Sequence, residues 1–193
     1  YQKLSSLFPK KAVKQTDELM VQGGFDEINA RTYLGFTLFF SFVVGMVSFT
    51  LAYSVLQETF IPLALASALV FVASATFYIV LITTAVNRAH EIEKVLPDAL
   101  MIISSNIRAG MTLENAIWSS ARPEFGPFKD EIKKISADSF GGVALKETLS
   151  KSVKRVRSQL YARTVKLINE GISLGGEMSK LLQEVAEYVR ANN

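Results

Sequence analysis

Two apolar runs, residues 32–57 and 59–87, contain no Asp, Glu, Lys, Arg or His, and the only charge between them is Glu58. A helix rises about 1.5 Å per residue, so roughly 20 apolar residues cross a hydrocarbon core of about 30 Å, and each run is longer than that. The expected layout is therefore an N-terminal arm (1–31), a transmembrane hairpin with spans at 32–57 and 59–87, and a polar domain (88–193). The first run starts too deep and is too long for a secretory signal. A chain opening on Tyr1 rather than Met reads as a piece of something longer.

Composition fits this segregation: 49% of residues are hydrophobic, yet 20% are charged. There is no cysteine, which excludes disulfides and thiolate metal sites. Lys3, Lys10, Lys11, Lys14 and Arg31 precede the first run, no basic residue lies in the 54–61 connection, and Arg88 with fifteen further Lys or Arg follow the second. The positive-inside rule then predicts a multi-pass protein of the cell membrane, with both ends of this chain cytoplasmic.

Spans without ionisable groups argue against a transporter or pump. Ser41 and Gly45, and Ala64 and Ala68, are small residues four apart that permit close helix packing, although small residues are also common in membrane helices generally. Pro62 falls at the start of the second span, where its missing N–H does least harm. The arm places Phe8, Ala12, Val13, Leu19 and Met20 at loosely helical spacing before Gly23-Gly24. Two readings stay open: a helix on the inner membrane surface with its lysines toward anionic headgroups, or a soluble helix of a domain further upstream.

From Arg88 onward the pattern is helical throughout. Pro97-Asp98 opens a helix with Leu100, Ile103 and Ile107, stopped by Gly110 in a left-handed cap position. Thr112 caps the next helix, with Leu113, Ile117 and Trp118 expected in the core, and Pro123 closes it. Pro127 opens a helix carrying Phe128, Ile132 and Ile135 that ends at Gly141-Gly142. Leu145, Leu149, Val153 and Val156 then form one stripe, with Lys151, Lys154 and Arg155 largely elsewhere. A helix over 160–172 runs to Gly175-Gly176, and a last one over 177–190 buries Met178, Leu182, Val185 and Val189. Short Gly or Pro breaks between amphipathic helices predict an all-α, antiparallel six-helix bundle. Gly110, Gly142 and Gly175 recur at spacings of 32 and 33 residues, near a tetratricopeptide period. That repeat's Trp, Leu-Gly and Tyr positions are absent, so helical hairpins within one bundle account for the cadence better.

Little here suits catalysis. The Gly pairs lack a following Lys-Ser or Lys-Thr and no strand precedes them, which excludes a Walker-type loop. His90 is the only histidine and is expected to be solvated. No cofactor, metal or nucleic acid is expected. The one concentrated feature is basic: Lys146, Lys151, Lys154, Arg155, Arg157, Arg163 and Lys166 crowd a region whose only acid is Glu147. Such a stripe suits an acidic protein surface or anionic lipid, and a solvated helix face explains it equally well.

The stretch Leu96-Pro97-Asp98-Ala99-Leu100, followed by Ser105-Asn106-Ile107-Arg108-Ala109-Gly110-Met111-Thr112-Leu113-Glu114-Asn115-Ala116, resembles the opening of a type II secretion F domain. Glu124-Phe125-Gly126-Pro127, Gly142-Val143-Ala144-Leu145-Lys146-Glu147-Thr148-Leu149 and Glu170-Gly171-Ile172-Ser173-Leu174-Gly175-Gly176-Glu177 continue it in order. The combination is most similar to the archaeal branch, the platform proteins of archaella and adhesion pili, and covers 96–190. The resemblance implies a non-enzymatic membrane platform at the base of a type IV-filament-like machine. It would be engaged by a hexameric secretion ATPase and would act on pilin- or archaellin-like subunits. Association as a homodimer, or with further platform segments, is expected. Its structural motif is carried by Pro97, Gly110, Leu113, Gly142, Leu145, Gly175 and Gly176. The resemblance assigns no ATPase-facing residue; charge alone nominates Lys146, Lys151, Lys154, Arg155 and Arg157. The alternatives are a membrane-anchored scaffold or signalling bundle with no filament role, and a membrane-associated enzyme with an unrecognised site.

Overall fold

A computed structural model describes residues 10–25, 28–56, 59–174 and 177–191. Among them every regular element is helical: α1 (Lys10–Gly23), α2 (Ala30–Leu56), α3 (Phe60–Arg108), α4 (Leu113–Ser119), a 3₁₀ turn (Pro123–Phe125), α5 (Pro127–Phe140), α6 (Leu145–Arg155), α7 (Gln159–Leu174) and α8 (Met178–Ala191). The chain divides into two compact units, Tyr1–Thr84 and Ala85–Asn193. Phe8, Glu58, Gly175 and Gly176, all singled out in the sequence, lie outside the described residues.

In the first unit, α2 and α3 are long and apolar enough to cross a membrane. Their outward positions carry Phe42, Met46, Leu51, Phe60 and Phe71, each more exposed than buried. So much contiguous apolar surface is untenable in water and natural in lipid. The hydroxyls of Thr37, Thr50, Ser67, Thr76 and Thr83 donate to carbonyls three or four residues earlier in their own helices. These polar groups are thereby satisfied without water.

The two long helices meet on small residues, as the sequence predicts for α2 but in a different register for α3. Ser41 and Gly45 are buried. Ser41 Oγ lies 3.1 Å from Ser74 Oγ, and the Tyr33 hydroxyl donates to Phe77 O at 2.9 Å. A Cβ on Gly45 would stand 2.5 Å from Val70 Cγ2. These contacts turn positions 62, 66, 70 and 74 toward α2. Ala64 and Ala68 are two residues out of that phase, about 200° around the helix, and are exposed. The helix α1 buries Leu19 and Met20 in a small cluster with Ala30 and Leu81, against which Val13, Tyr33 and Ile82 pack. Its apolar face is thus covered by α2 and α3 of its own unit.

The second unit contains residues 85–108 of α3 and helices α4 to α8. Pro97, expected to open a helix, instead lies inside α3. The reason is the stripe around it: Ile92, Leu96, Ala99, Leu100 and Ile103 are all buried and share one core cluster. Each large side chain in that stripe contributes about 1.5–3 kcal/mol of burial, which together outweighs the roughly 3 kcal/mol an interior proline costs. Successive helices α4 to α8 each pack on the next. One core joins Ile132, Ile135, Leu149, Tyr161, Val165, Leu182 and Val189 with the α3 stripe.

Trp118 also departs from expectation. It is 57% exposed and meets the equally open ring of Phe140 edge-on at 6.4 Å. Helix α4 has only seven residues and turns Ala116 and Ile117 inward. The next position is about 100° away and faces outward.

Candidate docking surface

The buried polar centre of the second unit belongs to Glu131, whose side chain is fully buried. Phe128, Glu131, Ile132, Ile135 and Ser136 form the inward stripe of α5, so the helix phase itself carries this carboxylate inside. Burial of an unpaired carboxylate would be prohibitive, and two arginines meet it. Arg88 Nη2 donates to Oε1 at 2.8 Å, and Arg155 Nε donates to Oε2 at 2.8 Å. Arg88 Nη1 also donates to the Arg155 carbonyl at 3.1 Å, satisfying a carbonyl at the C-terminal end of α6. Beside this triad the buried Tyr161 hydroxyl lies 2.7 Å from Ser152 Oγ. Burial pushes the Tyr161 phenol well above the usual tyrosine range, and the Ser152 bond opposes that shift more weakly.

This arrangement removes Arg155 from the group of surface cations nominated by charge. Its side chain is only 17% exposed and is held by Glu131. Lys146, Lys151, Lys154 and Arg157 are exposed. Lys151 Nζ is 2.9 Å from Glu147 Oε1 on the same helix. Lys146 Nζ donates to Ser173 Oγ of α7 at 2.8 Å.

The motif residues have structural roles that their positions explain. Gly110 and Gly142 both have φ of 92°. After α3, Gly110 N–H bonds to Ile107 O and Met111 N–H to Asn106 O; after α5, Gly142 N–H bonds to Ser139 O and Val143 N–H to Asp138 O. Both pairs of bonds make Schellman caps. Three residues beyond each glycine the next helix begins on an apolar residue, Leu113 half-buried and Leu145 buried. Gly171 of α7 marks a close approach to α8, since a Cβ there would stand 2.1 Å from Leu181 Cδ2.

Two features lay beyond the sequence reading. Glu131 carried a usable signal, a carboxylate in the middle of the 128–132–135 apolar stripe. The outward turn of Trp118 carried none, because α4 is too short to show its phase.

Among the described residues no three His, Cys, Asp or Glu side chains gather as a metal site. His90 is exposed and lies 3.8 Å from Glu93. The enclosed cavity in the second unit's core, about 40 Å³ between Leu100, Ile132, Thr164 and Val165, is far below the roughly 300 Å³ at which ligand sites begin.

The family model for type II secretion system (T2SS), protein F matches residues 99–193. No curated protein and no solved structure matches the chain.

Proposed function

We propose, from the match of residues 99–193 to the family model for type II secretion system (T2SS), protein F, that the chain is a platform protein of an archaeal type IV-filament-like machine, whether archaellum, pilus or secretion system. In this role it couples a cytoplasmic hexameric ATPase to pilin-like subunits in the membrane and performs no catalysis itself. The observation that carries the reading is a family match that begins at residue 99, within the last part of the second of two helices long enough to cross a membrane.

The distribution of Lys and Arg supports an orientation with the family domain in the cytoplasm, where an ATPase is available. The exposed cations Lys146, Lys151, Lys154 and Arg157 are the proposed ATPase-facing group. Such a surface accelerates encounter and selects an oppositely charged partner. The test is co-purification of the full chain, in detergent, with the secretion-type ATPase encoded beside it, together with that enzyme's ATP turnover. Binding that weakens as salt rises, with changed turnover, is the expected result. A folded chain that neither binds the ATPase nor alters its turnover would replace this reading with the anchored scaffold.

A further inference from the structure

The exposed cations of this surface differ in how firmly they are already engaged. Lys151 has a carboxylate at 2.9 Å, whereas Lys146 donates to the neutral Ser173 hydroxyl. Lys166 is 78% exposed and meets Glu170 Oε1 at 3.9 Å, a separation at which an exposed pair contributes little. Lys146 and Lys166 flank an open groove of about 370 Å³ between α6 and α7, to which Val153 and Ala162 add apolar wall and Glu170 a single carboxylate against the two lysines.

Asn169 also lines this groove and is 9% exposed. Its Nδ2 donates to Lys146 O at 3.3 Å and to Ser150 Oγ at 3.0 Å. Its Oδ1 has no hydrogen-bond partner among the described residues. That oxygen is itself buried, so Asn169 ties α7 to α6 beneath the groove rather than offering an open acceptor.

We propose that the α6–α7 groove seats an acidic polypeptide segment of a partner protein. Taking that partner to be the ATPase rests on the function proposed above; the groove's chemistry does not. An acidic segment supplies carboxylates for Lys146 and Lys166 and apolar stems for Val153 and Ala162. A lipid phosphodiester supplies acceptors alone, so it matches the lysines and leaves the apolar wall unanswered. The docking centre thereby moves from the outer α6 stripe at 151–155 to the groove at 146–169.

The test uses the full chain in zwitterionic nanodiscs and a fluorescein-labelled peptide with Glu on one helical face and Leu on the other. Binding is read by anisotropy. The double variant K146E/K166E should weaken it by about tenfold, as should Ala162→Trp, which fills the groove and leaves every charge in place. The double variant K151E/K154E should change it by less than about threefold. Circular dichroism checks folding, and Ala162→Gln replaces the tryptophan variant if that one misfolds. Normal peptide binding by a folded groove-filled variant, or an equal loss in K151E/K154E, overturns the groove. So does a wild-type chain that ignores the peptide and binds anionic vesicles through Lys146 and Lys166. The same variants are then titrated with the ATPase. Peptide binding in the groove without any ATPase binding refutes the ATPase reading and leaves the groove standing. ATPase binding that both groove variants retain in full refutes the groove and leaves the platform reading intact.

Discussion

Replacing Glu131 with Ala removes the only carboxylate between two arginines in the second unit's interior. In the native fold its oxygens accept from Arg88 and Arg155 at 2.8 Å each, and Lys134 Nζ stands 4.0 Å away. Among the described residues Arg155 Nη2 has no hydrogen-bond partner, and loss of the carboxylate takes away the acceptor of Arg155 Nε as well. Each charge-assisted bond contributes about 1.5–3 kcal/mol, and breaking a buried pair by deleting one member costs about 3–5 kcal/mol. At about 1.4 kcal/mol per tenfold, the opening equilibrium of the second unit should rise by roughly two to three orders of magnitude. Hydrogen exchange by mass spectrometry on the full chain in detergent reads this directly. Protection across α5 and α6 should fall by that factor, while α2 supplies the internal reference. Glu131→Gln should fall between wild type and Ala, since it keeps an acceptor and loses the charge. Converting Arg88, Glu131 and Arg155 together to Leu should restore most of the loss, because no buried charge is then left unpaired. Protection in Glu131→Ala within about threefold of wild type would refute the triad as the unit's polar anchor.

Three further outcomes follow from single positions. Gly110→Ala and Gly142→Ala meet nothing within 4 Å, yet each must hold φ of 92°, so each should cost about 1–2 kcal/mol from backbone strain alone, seen as a lower urea midpoint. Gly171→Val should loosen α8 specifically, raising its exchange ahead of α5 and α6, because its Cβ would fall 2.1 Å from Leu181 Cδ2. Tyr161 titrates above its unfolded value of about 10, so above about pH 10 the unfolded chain sheds this proton first and the folded state binds more protons. Its contribution is complete below about pH 10 and declines above it; Tyr161→Phe should flatten that alkaline decline in urea titrations, at a cost near 1 kcal/mol at neutral pH.

Much of the architecture is legible in the sequence. Charge-free runs longer than a bilayer core leave only membrane-length helices, and α2 and α3 appear where those runs fall. Gly110 and Gly142 announced helix ends because only glycine adopts that backbone cheaply, and the stripes of α5, α6 and α8 were visible at a period of 3.6 residues. The F-domain motifs, read in order over 96–190, agree closely with the family match at 99–193.

What the sequence by itself determined, then, is which segments are helical, which are apolar enough for lipid, and where the second unit's chain reverses. These depend on composition, local backbone preference and short-range periodicity. Tertiary structure decided whatever depends on a partner far along the chain. It kept Pro97 inside α3 because a stripe from Ile92 to Ile103 is buried on both sides of it. It chose Ala66 over Ala64 and Ala68 because Gly45 and Ser41 fix the phase of contact. It drew Arg155 away from the basic surface because Glu131, 24 residues earlier, is carried inward by its own helix. A charge is available to a docking partner only after the fold has settled its intramolecular contacts, and those are set by three-dimensional proximity rather than by spacing along the chain.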